Sequence, residues 1–181
     1  MSQMSNIYTG NLYLPQETPE NKEDLDYYRR VLTNLKNRNQ LKVKKLHEDA
    51  QLPEYATEGA ACFDIKSVQD GVVTMGGSTA FSTGLAFEIP EGHVMLVYSR
   101  SGHGFKNDVS LSNSTGIIDS DFRGVLAVKL SNSGTKDFYV DKGDRIAQGM
   151  IIKYDHISFV EVDELSETER GEGGLGSTGV K

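Results

Sequence analysis

The sequence predicts an all-β fold: a compact, jelly-roll-like domain of many short strands, with one helix added at its N-terminus. Three observations carry that expectation. From residue 41 onward, apolar residues alternate with polar ones or gather in short runs, as they do in half-buried and buried strands. Gly76-Gly77 and Pro90-Glu91-Gly92 break the runs at regular intervals, the punctuation of a barrel or sandwich. Before residue 41 the apolar period is that of a helix.

The helix comes first. Thr18-Pro19-Glu20 supplies a hydroxyl cap, a proline at the first helical position and an acid in the first turn. Leu25, Tyr28, Leu32 and Leu35 follow at spacings of three, four and three, one face of a helix over about residues 19–37. Residues 1–40 are thus an N-terminal extension whose helix docks on the domain or on a neighbouring subunit; an unknown protein partner is the alternative. LKVKKL at residues 41–46 then alternates as a half-buried strand does. Past the breakers Pro53 and Gly59 comes a short strand at Cys62–Ile65. VVTM, TAFSTGLAFEI and HVMLVY continue the pattern to residue 98, and VLAVKLSN and DFYV resume it after residue 124. Gly143-Asp144 makes a turn, and Arg145 to Ile152 form a strand in which Gly149 marks a bulge. The β domain is expected over residues 41–160. Residues 161–181 are a C-terminal arm whose five glycines in nine residues give it the composition of a flexible segment.

Composition narrows the function. A length of 181 residues suits one domain plus an extension. A net charge of −7 argues against nucleic acid as a partner of the whole chain, yet allows a small anion in a local cationic pocket. The single cysteine, Cys62, excludes an intrachain disulfide and a four-cysteine zinc site, and suits a reducing compartment. No run approaches the ~20 apolar residues of a membrane span, and MSQMSNIYTG lacks the pattern of a secretory signal. The expected location is the cytoplasm, the host's if the chain is viral.

The chemistry gathers at residues 98–124, YSRSGHGFKNDVSLSNSTGIIDSDFRG. Arg100, Ser101 and Gly102 set a forked cation, a hydroxyl and bare backbone side by side, which suits phosphate oxygens. Val109, Leu111, Ile117 and Ile118 flank the polar Ser112–Gly116, two short strands joined by a turn. Asp119, Asp121 and the aromatic Phe122 follow. Such an order can hold a nucleotide and activate a water. His93 and His103 have no partner at ligand spacing and are read as surface or turn residues. Further on, the Gln148 amide can donate to an anionic oxygen without adding charge. Arg170, the glycines after it, Ser177 and Thr178 offer a guanidinium, backbone N–H groups and two hydroxyls, a lid able to wrap a triphosphate.

Five stretches in order, GAACFDI, RSG, GIIDSDFRG, GDRIAQGMII and RGEGGLGSTG, resemble the five motifs of the trimeric dUTPase family. The resemblance covers about residues 41–181 and implies that family's β-clip form of the jelly roll. It implies hydrolysis of dUTP to dUMP and pyrophosphate with Mg2+. It also implies a homotrimer with three sites between subunits: one subunit gives the third-motif hairpin, the next the first, second and fourth motifs, the third the arm. Under the resemblance, Asp119 is the general base for water attacking the α-phosphorus. Arg100, Ser101, Gly102, Gln148, Arg170, Ser177 and Thr178 hold the phosphates, and Asp64 reaches magnesium through water. Asn113, Gly116 and Ile118 contact the base, Phe122 packs on the sugar, Leu175 covers the uracil, and Asp121 is structural.

Three positions depart from the family's usual residues: Cys62 stands for Gly, Phe122 for Tyr, and Leu175 for a Phe that stacks on uracil. Stacking is worth about 1–3 kcal/mol per base, so Leu175 implies weaker binding or poorer lid closure with the chemistry intact. Two rivals are weighed. A dCTP deaminase of the same fold would carry a second Ser after Arg-Ser and Pro-Gly after the hairpin acid, where this chain has Gly102 and Ser120-Asp121. A nucleotide-regulated protein-binding module would have no need of Asp119, Arg100, Gln148 and Arg170 together.

Overall fold

The structure, a computed structural model, describes residues 22–23, 25–30 and 40–174. The first two stretches are helical throughout and fall inside the expected helix. Leu32 and Leu35, the other half of its apolar face, lie outside the described residues. No described helix is long and apolar enough to cross a membrane.

Twelve strands follow among the described residues: β1 Lys42–Lys45, β2 Glu54–Tyr55, β3 Phe63–Lys66, β4 Gly71–Val73, β5 Ser78–Ser82, β6 Leu85–Glu88, β7 His93–Tyr98, β8 Val109–Leu111, β9 Thr115–Ile118, β10 Ala127–Asn132, β11 Phe138–Val140 and β12 Arg145–Lys153. The largest sheet has the order β2-β3-β12-β7-β9; a second runs β5-β10-β8; β1 pairs with β6 and β11 with β4. Every pairing is antiparallel. The inner faces share one core in which Ile65, Val73, Phe81, Met95, Val109 and Ile146 are wholly buried. The two-residue period decides which side chains enter it. On β3, Phe63 and Ile65 point into the core, so Asp64 and Lys66 stand on the opposite, half-exposed face. That alternation delivers the acid of GAACFDI to the surface.

The all-β expectation holds, with two local differences. Gly149 is not the bulge. It stays in register with Phe63 on one side and Val97 on the other. A side chain there would place its Cβ 2.6 Å from Phe63 Cε2 and 3.2 Å from Ile65 Cδ1, so glycine lets a core phenyl lie on the backbone. The irregularity sits earlier, where the β12–β3 register shifts between Arg145 and Ala147. The second difference is a seven-residue helix, Ser101–Asn107, which begins within the phosphate-suited Arg100–Gly102 and was not expected there. Its sequence, SGHGFKN, gives no warning. Two glycines disfavour it by about 1 kcal/mol each relative to alanine, and it has no side-chain N-cap bond and no fully buried residue. Asp108 ends it in the left-handed region at φ 54°.

Candidate active site

One end of the large sheet carries a charged cluster. Pairing sets Gln148 of β12 opposite Asp64 on β3 and opposite Tyr98 on β7. Arg100 leaves the end of β7 in extended conformation, and its Nε lies 3.3 Å from Asp64 Oδ1. Arg145 Nη1 donates to Asp64 Oδ2 at 3.0 Å. Within this triad two guanidiniums face one carboxylate. Gln148 Nε2 donates to Ser99 O at 2.9 Å, which holds its amide beside the start of RSG. Next to the cluster is a cavity of about 480 Å³ lined by Glu54, Asp64, Lys66, Asp144 and Arg145 among others. Arg145 was not singled out in the sequence. What places it here is the pairing of β3 with a strand some eighty residues on, and a single sequence does not announce that pairing.

A second feature lies at the polar turn. The expected strands, β8 and β9, are both present, but they do not pair with each other. β8 joins β10 and β9 joins β7, so each is the edge of a different sheet. Their unpaired edges border a cavity of about 250 Å³ lined by Val97, Leu111, Asn113, Gly116, Ile118 and Val128 among others. Backbone N–H and C=O groups at an unpaired edge are strong, directional partners for a planar base. Gly116 is buried against β7; a Cβ there would approach Val97 Cβ to 3.1 Å. Ser114 turns the chain at φ 61°. Asn113 Nδ2 lies 3.4 Å from Thr115 O, a long contact that leaves its amide available.

Asp119 follows β9 and is exposed, as are Asp121 and Phe122. Phe122 N–H donates to Asp119 O at 3.2 Å, closing a turn, and the Phe122 ring lies over Gly124. Arg123 Nη1 folds back onto Ser120 O and Phe122 O at 2.6 and 2.9 Å and stiffens that turn.

The two features lie apart within one chain. β9 runs beside β7 with Thr115 opposite Tyr98 and Ile118 opposite Met95. Asp119 therefore leaves the sheet at the Met95 level, one residue past Ile118, and Arg100 leaves it two residues past Tyr98 in the other direction. Six residues at about 3.3 Å each put them on the order of 20 Å apart.

Arg170 sits on an exposed segment and turns on itself: its Nε donates to Gly173 O at 2.8 Å, and Gly173 N–H donates to Arg170 O at 3.1 Å. The structure does not bring it to the phosphate cluster of its own chain. Leu175, Ser177 and Thr178 lie outside the described residues. Upstream of Arg170 the chain exposes Ile157, Phe159, Val160, Val162 and Leu165, with Phe159 at 97%.

Asp64 is the candidate donor for magnesium. It is a hard oxygen donor, but its two oxygens already face Arg100 and Arg145, so the fit is to a hydrated ion met through water. Among the described residues, no group of three or more acids, histidines or cysteines could hold a metal.

Comparison with known proteins gives a consistent picture. The dUTPase family model matches residues 48–179, a span that takes in every candidate residue from Asp64 to Thr178. A deoxyuridine 5'-triphosphate nucleotidohydrolase of Nautilia profundicola is 45% identical over 139 residues, covering 77% of this chain and 98% of that protein. The enzyme of that name from Hydrogenobaculum sp. is 46% identical over 142 residues, with coverage of 78% and 99%. Among solved structures, a mutant dUTPase of Staphylococcus bacteriophage 80alpha with dUpNHpp superposes with a TM-score of 0.73 at 30% identity, over 78% of this chain and 99% of that one. A mutant dUTPase from phage phi11 of S. aureus, described with a structural Mg(II) ion, gives a TM-score of 0.66 at 26% identity, over 70% and 98%.

Proposed function

This chain belongs to the dUTPase family and is a hydrolase of dUTP, and we propose that its reaction runs between subunits with Asp119 as the general base. The observation that carries this reading is the separation of Asp119 from Arg100 along β7. That ~20 Å is a backbone separation, and seating the β8–β9 slot of one subunit against the Asp64–Arg100–Gln148 cluster of another would bring the base and the phosphate ligands onto one nucleotide. A closed homotrimer provides that juxtaposition three times. The exposed apolar residues between Ile157 and Leu165 support it, since a run of that kind is normally covered by a partner.

In the slot, the free backbone edges near Asn113, Gly116 and Ile118 pair with the edge of uracil. Cytosine reverses part of that edge and leaves buried groups unpaired, which can discriminate by roughly 10⁴-fold. Thymine's methyl would be refused by a clash with the walls of the slot. Phe122 packs on the deoxyribose and leaves no room for a 2′-hydroxyl. A water beside Asp119 attacks the α-phosphorus. Its proton passes to the Asp119 carboxylate, the bond from the α-phosphorus to the bridging oxygen breaks, and pyrophosphate leaves. Arg100, Ser101, Gly102 and Gln148 hold the phosphates from the neighbouring subunit. Arg170, Ser177 and Thr178 close over them from the third, and the guanidiniums stabilise charge as it shifts to the leaving group. Asp64 would hold a bound magnesium through its water shell, and the ion would supply positive charge to offset part of that on the phosphates. The N-terminal extension precedes the matched residues 48–179 and is given no part in the reaction; its proposed use is docking on the domain or on a neighbouring subunit, with a protein partner as the alternative.

Pyrophosphate release from dUTP with magnesium tests the reading. Asp119→Asn should abolish turnover and keep affinity for dUpNHpp within a few-fold. An Asp119→Asn protein that still turns over at the wild-type rate would remove Asp119 as the base.

A further inference from the structure

One residue beside the phosphate cluster is assigned by no motif. His103 sits in the short helix that begins right after Arg100. Its Nε2 lies 2.8 Å from the main-chain oxygen of Arg145. A carbonyl oxygen can only accept, so Nε2 carries the hydrogen and donates it. Arg100 Nη1 donates to that same oxygen at 3.2 Å and lies 3.5 Å from His103 Nε2. One carbonyl thus gathers both side chains. The β12–β3 register shift lies beside this carbonyl, and bulges typically re-aim groups at a site in this way. On its other side the imidazole meets the Phe138 ring edge-on, at 5.0 Å between centroids.

The C-terminal end of the helix bearing His103 is tied down, since Ser133 N–H and Oγ both donate to Asp108 O; its N-terminal end has no such side-chain bond. The helix contains two glycines and has no fully buried residue. Arg100, for its part, is a long side chain tied at Nε by Asp64 and at Nη1 by Arg145 O. If the Arg145 carbonyl turned or the helix lifted, the second tie would go and the guanidinium would be free to swing about the first.

We propose that His103 is a positioning residue: by clamping the Arg145 carbonyl and docking the 101–107 helix on Phe138, it fixes the Arg100 guanidinium in the orientation that receives the substrate's phosphates. This rests on the reading of Arg100 as a phosphate ligand, and it adds a residue specific to holding that ligand still.

Two substitutions separate the hydrogen bond from the packing. His103→Phe keeps a ring against Phe138 and removes the donor. His103→Gln removes the ring but carries an amide N–H at the same number of bonds from Cα. KM and kcat for dUTP are measured for both, alone and with Arg100→Ala, together with inhibition by deoxyuridine, which has no phosphate. His103→Phe should raise KM for dUTP by about tenfold, the loss of roughly one hydrogen bond near a charged group, with kcat and deoxyuridine inhibition little changed. His103→Gln should restore KM to within about threefold of wild type. Combined with Arg100→Ala, His103→Phe should add nothing, because the residue it positions is gone. The proposal is overturned if His103→Gln is as impaired as His103→Phe, if deoxyuridine inhibition weakens in parallel, or if the two losses simply add. Arg100→Ala raising KM while His103→Phe does not would remove His103 and leave Arg100 as a phosphate ligand. Arg100→Ala with an unaltered KM would remove that reading, and this proposal with it.

Discussion

Asp64 and Arg145 are joined by a charged hydrogen bond of 3.0 Å across β3 and β12, and the same carboxylate holds Arg100 at 3.3 Å. The acid of the first motif therefore orders both cations of the cluster, whatever it does for a metal. Asp64→Asn should disturb both functions. An amide can accept from one guanidinium but presents N–H groups to the other, and the charge that offsets two arginines is lost. KM for dUTP should rise. Stability should fall by about 1–2 kcal/mol, a modest value because the Arg145 side chain is half exposed. Urea unfolding and steady-state kinetics check the two parts separately; a variant with wild-type KM would mean that Asp64 does not order Arg100.

Gly149→Ala tests the packing beneath the same strand. The added Cβ would come within 2.6 Å of the Phe63 ring, closer than real side chains approach. Phe63 must move off its place in the core, at a cost of about 1–3 kcal/mol. Thermal unfolding should show a fall of several degrees, and Gln148, one residue away, should be displaced enough to raise KM. If the melting temperature is unchanged, the close approach of Phe63 is not what requires glycine here.

These two residues also mark how far the sequence could be read. Strand periodicity was legible where one face of a strand is buried and the period of two is written in the residues themselves, as in Phe63–Lys66; Glu54–Tyr55, exposed on both faces, carries no such signal. The candidate site was legible in outline because its groups lie in short contiguous stretches such as Arg100–Gly102 and Ile118–Phe122. What was hidden depends on contacts distant in sequence. Arg145 and His103 gain their roles from pairing and packing that bring β12, the 101–107 helix and β11 together. Gly149 could be seen as unusual, but only Phe63, from another strand, explains it. The splayed β8 and β9 were equally invisible, since two apolar runs around a polar turn ordinarily mean a paired hairpin.

Leu175 carries a prediction that comes from the family pattern, since it lies outside the described residues. Phe at this position of the arm stacks on uracil in the family, and leucine gives up part of that contact. Leu175→Phe should lower KM for dUTP, with a gain bounded by the roughly 1–3 kcal/mol of one stacked base. Steady-state kinetics decide it. A variant no better than wild type would show that the leucine already covers the base well enough, or that the arm does not lie there.

The separation of Asp119 from Arg100 leads to the sharpest test of a shared site. Prepare Asp119→Asn and Arg100→Ala as separate proteins and assay them at a dUTP concentration far below the raised KM of Arg100→Ala; there each should be nearly inactive, for different reasons. Dissociate them together and let them reassemble. If the slot of one subunit serves the cluster of the next, a mixed trimer can bring an intact Asp119 from an Arg100→Ala chain to an intact Arg100 from an Asp119→Asn chain. With random assembly each half-site is supplied correctly half the time, so roughly a quarter of all sites should be whole. Pyrophosphate release should then climb to about that fraction of wild type, while each variant reassembled alone stays inactive. Were both residues drawn from one chain, no mixture could make a whole site, and the activity would remain at the floor set by the two variants.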